Sequence, residues 1–472
     1  MQKKLTKIVA TISDQRCDAG FLKTLYEAGM NVVRINTAHQ QLEGSQRVVD
    51  AVRSVSDQIA ILVDTKGPEI RTTTARDPIP VEVGEMIRVY GNPDKPSVPG
   101  AISVSYAGFV DVLIPGNRIL IDDGEIELVV REKQSDYLIC EVSNQGLIKS
   151  RKSVNTPGIS IDLPALNEKD LTYIDFAVKN DLEFIAHSFV RRKEDVMAIQ
   201  QVLEEKQSKI KIIAKIENQE GVDNIQEILN HVYGVMIARG DLGIEIPAER
   251  IPGISRKLIS ACIQRKKPVI VATQMLHTMI EHPRPTRAEI SDVANAIYNG
   301  TDAIMLSGET AYGQYPVEAV KTMTRVALEV ESVKVNPDYT ISSIDNEIAA
   351  FLANMAVQAS NELNTRAVIL DTLTGRTARY LSAFRNRNSI FAACYNPRVV
   401  RELALSYGVY PFLIEPKVHT DAFKREVASY LINRGEISMQ NRVILVGGSF
   451  GPRKGASFLE ISRVSDLVYN LQ

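Results

Sequence analysis

The chain is short of cysteine and has almost no excess charge of either sign, and each shortage excludes something. Its 472 residues contain four cysteines, Cys17, Cys140, Cys262 and Cys394, which lie far apart and form no CxxC pair. A disulfide framework or structural zinc site is not expected, whereas a reducing cytoplasm is. The formal net charge of −2 leaves no strong basic field for nucleic acid or an anionic membrane. No run of about 18 apolar residues occurs, so no spanning helix is expected. The basic start MQKKLTKIVATIS carries too short an apolar run for a secretory signal. Walker A is also missing, because the glycines of GGSFGPRKG (447–455) do not fit GxxxxGK(S/T). There is no low-complexity tract and no short-period repeat. What remains is an ordinary globular composition, 44% hydrophobic and 24% charged, long enough for roughly two to four domains.

Residues 7–67 alternate short apolar runs with amphipathic stretches. KIVATIS (7–13), VVRIN (32–36) and AILVDTKG (60–67) read as strands. Phe21, Leu22, Leu25 and Ala28 recur at helical spacing, and Gly29 ends that helix. A polar helix runs on to about Val55. This β-α-β-α-β rhythm is the signature of parallel sheet. It breaks at Pro68, and residues 72–155 read as short antiparallel strands with tight turns. The rhythm resumes with EFIAHSFV (183–190), KIIAKIE (211–217), YGVMIARG (233–240), PVIVATQ (268–274) and DAIMLSGE (302–309). Three units plus five argue for a closed (β/α)8 barrel, residues 1–70 and 160–335, with a β lid inserted at 71–159. An open doubly wound sheet is the alternative. Residues 331–345 read as a linker. Residues 346–472 then form a C-terminal α/β domain, expected to be an open parallel sheet on AVILD, SIFAACY, YPFLI and RVILVGG.

Barrel enzymes place their chemistry at the carboxyl ends of the strands. Here those ends are polar: Arg34, Asn36 and His39; Asp64, Thr65 and Lys66, followed by Glu69 and Arg71; Ser188 and Arg191; Lys215 and Glu217; Arg239 and Asp241; Thr273; Ser307 and Glu309. Closure would gather them around one pocket. Lys215 and Glu217 are two apart on a strand and share a face, expected beside Ile213 and Ile216. They read either as a structural salt bridge or as a functional pair. Glu217 and Asp241, on neighbouring strand ends, could hold one divalent ion such as magnesium. Asn36, Asp64 and Thr65 offer oxygen to a hard monovalent ion, or simply hydrogen-bond at a strand end. Arg34 and Arg71 can fork onto phosphate, and Thr273 can relay a proton through ordered water. The ring suits phosphoryl transfer on an anionic substrate.

DTKGPEIR (64–71), KIENQEG (215–221), ARGDLGIEIP (238–247), ATQML (272–276), PRPTRAE (283–289), DVANA (292–296) and MLSGETA (305–311) closely resemble the pyruvate kinase family, in order, over nearly all of residues 5–325. The C-terminal part resembles it more loosely. The resemblance implies transfer of phosphate from phosphoenolpyruvate to ADP, a homotetramer, magnesium or manganese, and potassium. It implies Glu217 and Asp241 as magnesium ligands and Lys215 as the group that stabilises the moving phosphoryl. Arg34, Gly240, Asp241 and Thr273 match substrate contacts. Arg71, Lys152 and the Asn36–His39 segment match nucleotide contacts. Asn36, Asp64 and Thr65 match potassium ligands, and Glu69 the acidic position that accompanies potassium dependence. The lid would close about Pro68 and Pro157.

TLTGRTAR (372–379) reads as a phosphate-binding turn at a helix start, with Thr372, Thr374, Gly375, Arg376 and Thr377 as the expected effector contacts. The plainer reading is an N-cap by Thr374 or Thr377. Arg453 or Lys454 could add a second phosphate contact. The resemblance implies a sugar-phosphate activator of the kind often bound here, but Leu373 stands where some fructose-bisphosphate-responsive members carry lysine. Two competing functions are a barrel lyase or carboxylase acting on phosphoenolpyruvate or an oxo-acid, and a non-catalytic effector-binding homologue. The nucleotide-facing Arg71 and Lys152 argue against the first, and intact Lys215, Glu217, Asp241 and Thr273 against the second.

Three segments depart from the family pattern. Thr11-Ile12-Ser13-Asp14 replaces T-I-G-P, and His187 stands where a small residue is usual. R-I-N-T-A-H-Q replaces R-x-N-F-S-H-G, so Ala38 removes a hydroxyl from the expected potassium set. Potassium dependence is therefore expected to be weakened while turnover survives. Steady-state titration of potassium against sodium checks this; a potassium affinity equal to that of serine-containing relatives would contradict it.

Overall fold

The computed structural model describes residues 3–334, 341–342, 344–417, 419–448 and 455–469. Eight strands among them close a parallel barrel. Three precede the lid: β1 (Lys7–Thr11), β2 (Val32–Asn36) and β3 (Ala60–Asp64). Between β3 and the next barrel strand lie β4 (Ile79–Val81), β5 (Met86–Tyr90), β6 (Ala101–Ser103), β7 (Arg118–Ile121), β8 (Ile126–Lys133), β9 (Tyr137–Val142), β10 (Gly146–Ile148) and β11 (Val154–Asn155). The barrel resumes with β12 (Phe184–His187), β13 (Lys211–Ile216), β14 (Gly234–Ala238), β15 (Val269–Ala272) and β16 (Ala303–Leu306). The order β1-β16-β15-β14-β13-β12-β3-β2 is closed, with β1 paired to both β2 and β16.

Strand parity sets the layers. Side chains alternate along a strand, so Val9, Val32, Ala60, Leu62, Phe184, Ala186, Ile213, Met236, Ile270 and Ala303 fill the interior. Their neighbours Ile8, Val33, Ile61, Ile185, Ile212, Val235 and Ile304 pack outward under the helices. Continuing the inward parity upward gives Thr11, Arg34, Asp64 and Lys215. The polar ring is thus the top layer of the same column. Ile216 belongs to the outer layer, so of the two isoleucines expected beside Lys215 only Ile213 shares its face. His187 also has outward parity, with Ile185, and so stands outside the ring.

The inserted strands form a six-stranded sheet, β11-β7-β8-β9-β5-β6, and a two-stranded sheet, β10-β4. The larger sheet curls around its own apolar core, which includes Ile87, Ile102, Phe109, Leu128 and Leu138. It is not wholly antiparallel, since β5 and β6 run parallel. A bulge at Val130/Glu132 on β8 adds to its bend. Its two connections to the barrel are clamped. Asp170 Oδ1 accepts the N–H of Lys66 at 2.9 Å and of Gly67 at 3.3 Å beside Pro68. Arg191 donates to the carbonyls of Ile161 (2.5 Å) and Leu163 (2.8 Å) on the return path.

The C-terminal sheet consists of β17 (Ala367–Thr372), β18 (Ser389–Cys394), β19 (Val409–Leu413), β20 (Arg442–Gly447) and β21 (Phe458–Arg463), in the order β19-β18-β17-β20-β21. The expectation of an all-parallel sheet is corrected here, because β21 runs antiparallel to β20. FLEISR lacks the apolar run of its neighbours, since an edge strand need not be buried on both faces. This unit docks on the amino end of the barrel. Ala404 and Leu405 belong to the barrel's own interior cluster and close its floor. Beside them Arg385 grips Asp302 with two bonds, 3.1 and 2.8 Å, and the Gly300 carbonyl with two more, 3.1 and 2.7 Å. Both side chains are buried, so removing one partner strands the other's charge. Replacing Arg385 with alanine is expected to cost about 3–5 kcal/mol, read as a lowered Tm, with Arg385→Met the milder change.

Candidate active site

At the barrel's carboxyl end, Lys215, its side chain 11% exposed, points inward from β13. Its Nζ lies 3.0 Å from Asp64 Oδ1, 3.0 Å from Glu217 Oε1 and 2.8 Å from Ser188 Oγ. Burial would pull its pKa down, but Asp64 and Glu217 outweigh burial and raise it above the ordinary lysine value. Asp64 is shared: its Oδ2 accepts Arg34 Nε at 2.6 Å. Burial would raise its pKa, yet Arg34 and Lys215 together hold it below the usual carboxylate value. Arg34 also donates through Nη1 to Thr11 Oγ1 at 3.0 Å. Thr11, which sequence reasoning did not single out, locks the guanidinium. The inward parity from Val9 was the signal that could have found it.

Glu217 lies one residue beyond β13, and its Oε2 accepts the Phe189 N–H at 2.6 Å. Phe189 adopts φ +56°, a strained conformation for a bulky residue. Burial first, and Asp241 in addition, push the Glu217 carboxyl up to about 7 despite Lys215. Asp241 sits in the first turn of the helix Arg239–Glu245. Among the described residues its carboxylate has no hydrogen bond or ion pair. It lines a cavity of about 420 Å3 between the lid's return path and the mouth, together with Phe189, Asn155 and Glu69. A free carboxylate beside a second whose charge is disfavoured is an oxygen-only donor set that fits a divalent cation.

Thr273 follows β15, where parity would point it outward. The backbone instead turns left-handed at Thr273 (φ +67°) and Gln274 (φ +54°). This is costly for a β-branched residue, and it carries the hydroxyl to the mouth. There Oγ1 accepts the Gly240 N–H at 2.8 Å and donates to the Ala272 carbonyl at 2.7 Å. A Cβ on Gly240 would stand 3.3 Å from that oxygen.

The remaining ring members divide. Arg239 is turned away, to Asp292 (2.7 Å) and the Thr273 carbonyl (2.8 Å). Glu309 accepts the N–H groups of Ser307 (2.7 Å) and Leu276 (3.3 Å), joining two strand ends. Asn36 pairs in register with Asp64, and its Oδ1 accepts the Ala38 N–H at 3.2 Å. Thr65 Oγ1 donates to the Ala186 carbonyl at 3.2 Å and accepts the Ser188 N–H at 3.1 Å. Asn36 and Asp64 thus stand side by side on neighbouring strands with Thr65 next in the chain, but Asp64 is already engaged by two cations, Arg34 and Lys215. His39 is exposed. On the lid side, Arg71 pairs with Glu69 (2.6 Å) and Lys152 with Asp122 (2.8 Å). His187 is buried, and that burial pulls its pKa down to about 4.

The turn after β17 lies apart from this ring. The helix Arg376–Ala383 has Gly375 as its N-cap, at φ +75° with no side-chain cap. The N-cap expected from Thr374 or Thr377 is thereby corrected. Thr372 Oγ1 accepts the Gly375 N–H at 2.8 Å instead, because an αL residue at the cap suits glycine. Arg453, Lys454 and most of the glycine loop at 447–455 lie outside the described residues.

A barrel mouth that combines a locked arginine, a fixed ammonium and two convergent carboxylates under a clamped β insert is that of a phosphotransferase. Comparison with known proteins gives the family. The sequence profile "Pyruvate kinase, barrel domain" matches residues 3–320, and "Pyruvate kinase, alpha/beta domain" matches 351–462. A pyruvate kinase of Borreliella burgdorferi is 47% identical over 474 residues, 99% of both chains. One of Staphylococcus epidermidis is 42% identical over 98% of this chain and 80% of its own. A crystal structure of a pyruvate kinase from Cryptosporidium parvum has a TM-score of 0.91 at 34% identity, over 98% of this chain and 96% of that one. The chain belongs to the pyruvate kinase family, phosphotransferases of glycolysis.

Lys215→Met would leave Asp64 and Glu217 without their common cation. A drop in kcat of about 10^2–10^3-fold is expected, with the fold intact by circular dichroism. A variant within twofold of wild type would remove Lys215 from the chemistry.

Proposed function

We infer that this mouth performs phosphoryl transfer from phosphoenolpyruvate to ADP, giving pyruvate and ATP, with a distinct task for each residue. The observation that carries the assignment is the shared ion network of Arg34, Asp64, Lys215 and Glu217. It fixes two cationic side chains, from β2 and β13, on either side of Asp64 on β3, where an anionic substrate would lie. Arg34, held by Asp64 and Thr11, keeps Nη2 without a partner among the described residues and can take a phosphate oxygen. Lys215 is held on three oxygens and stays charged, so it neutralises the equatorial oxygens as the phosphoryl moves. Gly240, lacking a side chain, leaves room for substrate beside Thr273. The Thr273 hydroxyl relays a proton through ordered water to the enolate carbon.

Members of this family generally use divalent and monovalent cations. Glu217 and Asp241 would hold magnesium or manganese, which supplies charge neutralisation at the phosphoryl oxygens when bound. Asn36, Asp64 and Thr65 would hold potassium. The engagement of Asp64 by Arg34 and Lys215, together with Ala38, supports a reduced reliance on it. Arg71, Lys152, Asn36 and His39 would take the nucleotide, with the first two exchanging their Glu69 and Asp122 partners for phosphate. The insert at 71–159 acts as a lid that excludes water on closure about Pro68 and Pro157. The barrel, at 1–70 and 160–335, carries the site, and 346–472 carries the effector site.

The Thr372–Thr377 turn supports that last assignment. It follows β17, beside β20, where the strand order of the sheet reverses, the usual crevice for a ligand in an open α/β sheet. An anionic sugar phosphate or nucleotide is the expected effector. Assembly as a homotetramer belongs to the same reading. Ile348 and Phe351, exposed on one face of the helix Glu347–Glu362, and the open edge of β21 are surfaces such an assembly would cover. A cytoplasmic location also belongs to it. Among the described residues no helix is long and apolar enough to cross a membrane.

The deciding assay supplies phosphoenolpyruvate, ADP and magnesium, and measures pyruvate and ATP together. Equal formation of both is expected. Pyruvate without ATP would favour a lyase-type activity, and no turnover would favour a non-catalytic role.

A further inference from the structure

A second cavity, of about 670 Å3, opens at the amino ends of the strands in the C-terminal sheet, opposite the Thr372–Thr377 turn. Its charged lining is Lys3, Arg366, Arg387, Arg442 and Arg463, and no described lining residue is acidic. For a chain of net charge −2, this is a marked local excess of one sign.

The topology forces the crowding. The register of β20 and β21 sets Arg442 directly opposite Arg463, and like charges so placed disfavour the pairing. Arg366, at the start of β17, donates its backbone N–H to the Arg442 carbonyl at 2.8 Å. Arg387 precedes β18 and reaches the same hollow. Lys3 is neutralised by Glu436 at 2.6 Å, and Arg366 is oriented by the Glu436 carbonyl at 3.0 Å. Arg387, Arg442 and Arg463 are exposed and, among the described residues, pair with no carboxylate. Among the described residues the Arg442 side chain makes one bond, of 3.3 Å, to the Leu363 carbonyl. Asn364, Ser389 and Asn441 add neutral hydrogen-bonding groups.

A concave site lined by one sign of charge concentrates counter-ions, and guanidinium forks match pairs of phosphate oxygens. The volume lies within the range of small-ligand pockets and exceeds what one phosphate would fill. We propose that this cavity binds a small anion carrying two or more phosphoryl groups, separately from the barrel mouth and from the Thr372–Thr377 turn. Lys3 and Leu5 belong to the segment leading into β1, and the rest of the lining belongs to the C-terminal sheet. An occupant therefore cross-links the barrel to the C-terminal unit.

The test is calorimetric titration of the full chain with inorganic pyrophosphate, without magnesium, at about 0.15 M salt. It compares wild type, the double variant Arg387→Glu/Arg463→Glu and the single variant Arg442→Gln. Saturable binding to wild type is expected, weakened at least about tenfold in the double variant and less in the single one. The KM for phosphoenolpyruvate and for ADP should be unchanged, which also reports that the variants are folded. Parallel titrations with a hexose bisphosphate and a nucleoside diphosphate identify the source, as the ligand whose affinity falls in the double variant. No saturable pyrophosphate binding, or equal binding by wild type and both variants, would overturn the proposal. Should the double variant fail to fold, Arg442→Gln decides alone.

Discussion

Everything at the barrel mouth depends on keeping one buried ammonium charged. Removing Lys215 from water is expensive, and an isolated lysine there would lose its proton. Asp64 and Glu217, each 3.0 Å away, reverse that tendency. Neither carboxylate is spent on Lys215 alone. Asp64 orients Arg34, and Glu217 holds the strained Phe189 backbone while facing Asp241. Two cations and two carboxylates form a shared network in which Lys215 and Asp64 are held charged, while Glu217, crowded by burial and Asp241, is the member whose charge is disfavoured. The network is dense enough that an anionic substrate would meet positions already fixed, and little reorganisation would be left for the reaction itself.

The strain follows the same logic. Phe189, beside Glu217, and Thr273, beside Gly240, both take left-handed backbone conformations at the mouth. Glu217 accepts the Phe189 amide, and the Thr273 hydroxyl accepts the Gly240 amide. Each bond holds a conformation that the chain would not adopt alone. The insert, by contrast, is fastened at its two connections, by Asp170 and Asn167 on one and by Arg191 on the other, which suits a body that swings as a unit.

Much of this was legible before any coordinates. The βα rhythm gave eight strands, and the polar strand ends gave Arg34, Asp64, Lys215, Glu217 and Asp241, because hydrophobic periodicity and strand parity are local properties. The misses share a cause. Thr11 is an ordinary residue until closure brings β1 beside β2. Arg191 and Glu309 look like ring members, but Arg191 is engaged by Asp195 and by the distant carbonyls of 161 and 163, and Glu309 by the amides of 307 and the distant 276. The Thr374 cap failed because the backbone turned left-handed at Gly375, a choice that its neighbours' side chains do not announce. β21 was missed because an exposed edge strand carries little hydrophobic signal.

The floor of the barrel has a consequence of its own. Ala404 and Leu405 sit within the interior cluster of a barrel whose own strands end about a hundred residues earlier. The family's two sequence profiles divide the chain as if it comprised separable modules. Physically, the innermost hydrophobic column is completed by the second module. A chimera that exchanged C-terminal halves between relatives would therefore exchange part of the first half's core, so the boundary of inheritance and the boundary of cooperative folding do not coincide.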